Sequence, residues 1–144
     1  MKRRDPLTID LFEVPTPVAS YTGGMDFRAQ VAGLVSTLLK NAPGDRYAVA
    51  AECSRLTGKD VTKYMLDAYA SESREEFNIP LHLAAALEAA TESYLLSSWL
   101  AEVRGGRLLI GREALTAELG KLERQRDQAS KMIREIKKQM GNGQ

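Results

Sequence analysis

The stretch whose reading decides the fold is DRYAVAAECSRLTGKDVTKYMLDAYA, Asp45–Ala70. It reads as helix, polar break, helix. Asp45 has the side chain of an N-cap, and the run Arg46–Thr57 carries Tyr47, Ala50, Ala51, Cys53 and Leu56, which gather on one side of a 3.6-residue spiral. Gly58 suits the left-handed position that ends a helix. Asp60 offers a second N-cap, and Val61, Met65, Ala68 and Tyr69 give the next helix an inward face, leaving Thr62, Lys63 and Asp67 outward.

Two short helices with an alanine-rich first member and a glycine in the break have the outline of a helix-turn-helix. Small side chains let the second helix cross the first closely and project its N-terminal residues into a major groove. Lys59, Thr62, Lys63 and Tyr64 are then the candidate DNA-binding residues. The same pattern also fits a plain helical hairpin, since the break Leu56–Asp60 is longer than the tightest repressor-type turn.

Upstream, Asp26–Asn41 carries Phe27, Val31, Leu34, Val35 and Leu38 at helical spacing, and Ala42-Pro43-Gly44 stops the helix before Asp45. Residues 1–24 hold Pro6, Pro15 and Pro17 and end in Thr22-Gly23-Gly24, so they form an arm and not a long helix. Within the arm, Leu7, Ile9 and Leu11 alternate with polar residues, as in an extended segment laid on the domain or on a partner chain. Lys2-Arg3-Arg4 suits either a phosphate backbone or a frayed, solvated terminus. Downstream, Ser71–Asn78 is a charged loop. Pro80 fits the first turn of a helix with Leu81, Leu83, Ala84, Leu87 and Ala90 inward, and Ser93–Val103 offers Leu95, Leu96, Trp99, Leu100 and Val103. The expectation is an all-α, five-helix repressor-like helix-turn-helix domain over residues 25–104.

Residues 105–111 are a connector, and 112–141 is a long C-terminal helix. Leu115, Leu119, Leu122, Arg126, Ala129, Ile133, Ile136 and Met140 alternate in spacing between four and three. That is a heptad seam, with Leu119, Arg126, Ile133 and Met140 at a and Leu115, Leu122, Ala129 and Ile136 at d. The apolar members are the candidate dimerisation residues. A helix of about 40 Å is too long for a domain of this size to cover. Its partner is expected to be a second copy, in a coiled coil or helical hairpin; the other option is that it lies on its own domain. Arg126 at a and Gly120 count against an ideal seam.

Composition bounds the chemistry. The 144 residues are 44% hydrophobic and 27% charged, with a net charge of +1 and a single cysteine. No apolar run is long enough for a bilayer, and the N-terminus lacks the unbroken apolar region of a signal peptide, so a cytoplasmic protein without membrane contact is expected. Residues 26–103 hold seven basic and eleven acidic side chains, whereas 104–144 hold ten basic and five acidic. Phosphate neutralisation supplies much of the affinity for DNA, so an acidic globule must concentrate its cations on one face or take them from the tail.

On the wording of Arg46–Tyr69 and of REEFNIPLHLAAALEAATESYLLSSWLAE, Arg74–Glu102, the chain resembles the small regulatory proteins of Mu-like transposable phages and prophages, often described as CII-like regulators. The resemblance spans about Asp26–Met140. It implies a transcription regulator that binds double-stranded DNA as a homodimer in the bacterial host's cytoplasm, with Lys59, Thr62 and Lys63 where such domains contact DNA. The alternative is an oligomeric adaptor for another protein, such as an accessory factor in phage transposition or replication.

Enzymatic chemistry is not expected. His82, the only histidine, stands without a Cys or second His to share a metal site. Cys53 reads as a small buried hydrophobe. Gly106–Glu113 has the glycine spacing of a phosphate loop but lacks the Lys-Ser/Thr that such a loop requires. No catalytic residue, metal, cofactor or small-molecule substrate is therefore expected.

Overall fold

The computed structural model describes residues 15–143, and the basic Lys2-Arg3-Arg4 and the alternating Leu7, Ile9 and Leu11 lie outside them. The described residues are all-α: α1 (Arg28–Lys40), α2 (Arg46–Thr57), α3 (Lys63–Tyr69), α4 (Leu81–Thr91), α5 (Leu95–Val103) and α6 (Arg112–Gly141). They divide after Leu108 into two compact units, the first holding α1–α5 and the second holding α6.

Each helix of the first unit is bounded by local chemistry. The Met25–Phe27 turn, with Phe27 N–H donating to the Met25 carbonyl at 3.0 Å, delays α1 until Arg28, two residues later than the sequence pattern suggests. Asp45 Oδ1 accepts from Ala48 N–H at 2.8 Å and so caps α2. Gly58 closes α2 at φ 67°, a conformation available to glycine without a Cβ clash, and its N–H donates to the Ser54 carbonyl at 2.9 Å. The start of α3 differs from expectation: Thr62, and not Asp60, is its N-cap, with Oγ1 accepting from Met65 N–H at 3.1 Å. Val61 decides this. It is buried, and its backbone is clamped by Ser54, whose Oγ accepts from Val61 N–H at 2.9 Å and also lies 2.9 Å from the Val61 carbonyl oxygen. The chain is thus held extended up to Thr62, and the first helical residue is Lys63.

One core joins the five helices. Val35, Leu38 and Leu39 of α1, Val49, Ala50 and Cys53 of α2, Val61, Leu66 of α3, Leu83 and Leu87 of α4 and Leu96 of α5 form it. Burial of a leucine side chain stabilises by roughly 1.5–3 kcal/mol, so Leu66 and Leu87, both fully buried, are among its main contributors. α2 packs chiefly on α4, which buries Ala50 and Cys53 as the sequence pattern suggests, turns Val49 inward as well, and leaves Tyr47, Ala51 and Leu56, read as inward, exposed. In α4 the expected inward Leu83 and Leu87 are buried, but Leu81, at the first position of the helix, is 81% exposed. Glu88 is buried, and its carboxylate accepts from the N–H and hydroxyl of Ser97 in the first turn of α5, where the helix dipole favours negative charge. Outside the helices, Val18 N–H donates to the Val103 carbonyl at 3.0 Å. A Cβ on Gly105, at φ 77°, would stand 2.6 Å from Pro17, so this crossing requires glycine.

The second unit is one helix. α6 runs thirty residues without a buried side chain, and Gly120 does not interrupt it. No described helix is long and apolar enough to cross a membrane.

Candidate nucleic-acid interface

The two N-caps bring two helix starts together. Asp45 begins α2 at Arg46, and Thr62 begins α3 at Lys63, so the first turns of both helices contribute to one surface. Asp67, one turn along α3, is its centre: Oδ1 accepts from Arg46 Nη1 at 2.6 Å, and Oδ2 stands 2.7 Å from Lys63 Nζ. The Lys63 ammonium also lies 5.7 Å from the ring centre of Tyr47 and 5.3 Å from that of Tyr64, within cation–π range of both. The hydrogen bond from Lys63, and then that from Arg46, hold the Asp67 carboxyl below the ordinary carboxylate range. The same bond, reinforced by the nearby tyrosines, raises Lys63 above the usual lysine value.

The four sequence-predicted residues fall into different situations. Lys59 is exposed in the turn and makes no ion pair among the described residues. Thr62 is half-buried, with its oxygen engaged as the α3 cap. Lys63 is half-buried and paired, so it is not the free cation expected from its outward position. Tyr64 is 70% exposed. Arg46, Tyr47 and Asp67 complete the surface and were not singled out as site residues by the sequence. Lys63 and Asp67 stand four apart on one helix, a spacing that signals a pair, but the partnership with Arg46 spans twenty-one residues and has no local signature. Two exposed phenols, one unpaired lysine and a shared arginine–lysine–aspartate cluster can hydrogen-bond, stack and meet an anion.

The candidate dimerisation residues lie on α6. Leu115, Leu119, Leu122, Ile133, Ile136 and Met140 are exposed, as are Ala129 and Arg126 between them. Among the described residues Arg126 pairs with its neighbour Asp127, at 3.4 Å.

Burial first, and then the Glu52 carboxylate, push the Cys53 thiol up, which disfavours the reactive thiolate. His82 is exposed, and no group of metal-ligating side chains occurs among the described residues. A cavity of about 230 Å³ between α1, α4 and α5 is lined by Val31, Ile79, Ala84, Leu96 and Trp99, whose ring meets Phe27 edge-on at 5.3 Å. Comparison of the chain with protein-family models, with curated proteins and with solved structures gave no match in any of the three.

Proposed function

We propose that the chain is a DNA-binding transcription regulator, of the kind its wording resembles in Mu-like phages, acting as a homodimer with α3 in the major groove. The observation that carries this reading is the α2–Gly58–α3 hairpin, whose second helix starts at an accessible turn bearing Lys63 and Tyr64 beside Arg46 and Tyr47. On this reading Lys59 and the two tyrosines make the outermost contacts. Phosphate oxygens compete with Asp67 for Arg46 and Lys63, and the excess of basic residues after Val103 offsets the acidity of the globule.

The test is a mobility-shift titration with duplex fragments from the protein's own operon over a range of salt. The expected result is a specific shift that weakens steeply as salt rises, with Lys63→Ala lowering affinity and flattening the salt slope by about one unit. Absence of any shift at low salt overturns the reading. The Lys63–Asp67 pair and the acidic globule favour a second one, an adaptor that binds a protein. Stoichiometric capture of one partner protein, insensitive to nuclease, is its outcome in the same preparation.

A further inference from the structure

The exposed face of α6 carries information about what covers it. We propose that α6 pairs with α6 of a second copy in the antiparallel sense, in one register that sets Arg126 against Ala129; the proposal rests on the homodimer reading above.

The argument begins with what a parallel pair would do. In register, it would face Arg126 with Arg126 across the seam, and it would set Glu118 at g beside Glu123 at e of the other chain. Two cations would meet in the seam and two carboxylates on its flank. Like charges so placed select against an orientation.

In an antiparallel pair, a residues of one chain meet d residues of the other. One register matches the whole seam: Leu115 meets Met140, Leu119 meets Ile136, Leu122 meets Ile133, and Arg126 meets Ala129. Every seam residue then has a partner, and the contacts repeat about a two-fold axis, as an isologous interface between identical chains requires. Sliding the helices by one heptad either way leaves two seam residues of each copy uncovered. The smallest seam side chain faces the longest, so the Arg126 stem lies over Ala129 while its guanidinium reaches water. On the flanks Glu118 meets Gln139 and Gln125 meets Met132, while Thr116 meets Lys137 and Glu123 meets Ser130. No flank pair carries like charges.

The two features that weaken the seam as a parallel coil, Arg126 and Ala129, thus become complementary in the antiparallel one. Leu115, Leu119, Leu122, Ile133, Ile136 and Met140, all exposed in the single chain, receive cover together. The two α6 starts then lie at opposite ends of the pair, about 45 Å apart at 1.5 Å per residue.

Disulfide trapping in the full chain tests the orientation, with buried Cys53 left in place and the unmodified chain as control. Leu115→Cys and Met140→Cys chains, mixed and mildly oxidised, are expected to cross-link with each other at least tenfold faster than either variant alone. A second measurement leaves the seam intact: spin labels on Ala117→Cys, at an exposed position off the seam, should stand more than about 30 Å apart. Rapid self-cross-linking of Leu115→Cys, or labels within about 20 Å, means a parallel pair and overturns the proposal while the dimer stands. A monomeric mass for the unmodified chain overturns the proposal and the homodimer together, and a mass above two copies overturns the two-stranded register.

Discussion

In α3, Leu66 is fully buried although the helix is only seven residues long, whereas α6 runs for thirty residues and buries none. The two regions differ in where their apolar side chains find cover. The α1–α5 unit has a closed core and an excess of carboxylates. α6 has an exposed apolar seam interrupted at Arg126, in a segment with an excess of cations. A short helix such as α3 persists only because its neighbours pack on it, since isolated helices below about 12–15 residues are marginal in water. The long helix exceeds that length, and its exposed seam is a surface that a partner would cover.

The comparison can be broken at several points, of decreasing size. Leu66→Ala should lower the stability of the α1–α5 unit by about 2–5 kcal/mol in urea denaturation, through lost burial and the cavity left behind. A loss below 1 kcal/mol would mean that the core is not shared as described. Thr62→Ala should cost roughly 0.5–2 kcal/mol by removing the α3 cap, while Asp60→Ala should have little effect. Reversal of that order would restore Asp60 as the cap.

Asp67→Asn has the smallest expected effect on stability and a diagnostic pH dependence. The Asp67 carboxyl is held below its ordinary value in the folded chain, so its contribution is present above the unfolded pKa of about 4 and is lost as pH falls through the lower folded value. The melting temperature of Asp67→Asn should therefore lie below that of the wild type at pH 7 and converge with it in acid. A gap that persists unchanged to low pH would assign the effect to something other than the ion pair. The same substitution frees Arg46 and Lys63, and under the DNA-binding reading it strengthens duplex binding at low salt.

How much of this was legible in the sequence depended on the range of the forces involved. The α6 seam is strictly periodic, so its pattern could be read directly. The all-helical character of the globule was equally plain from Pro43, Gly44 and Gly58 as stops and from the stripe Val31–Val35–Leu38. The inward face of α2 was legible only in Ala50 and Cys53; alanines stand on both sides of that helix, so periodicity could not separate Val49 from Tyr47, Ala51 and Leu56, and packing on α4 does. Leu66 was missed for a related reason. Asp60 and Thr62 are both capping residues, and the choice between them, which sets the phase of α3, is made by Ser54 seven residues upstream. At the candidate interface, the Lys63–Asp67 pair has the local signature of an i,i+4 spacing, whereas the second partner of Asp67, Arg46, comes from another helix.

The measurement that bears most directly on the account is the solution mass of the intact chain at micromolar concentration, taken beside that of Leu122→Asp. The account predicts twice the 15.9 kDa chain mass for the wild type and a single chain for the variant. A wild-type mass of 15.9 kDa, with α6 still helical by circular dichroism, would contradict it.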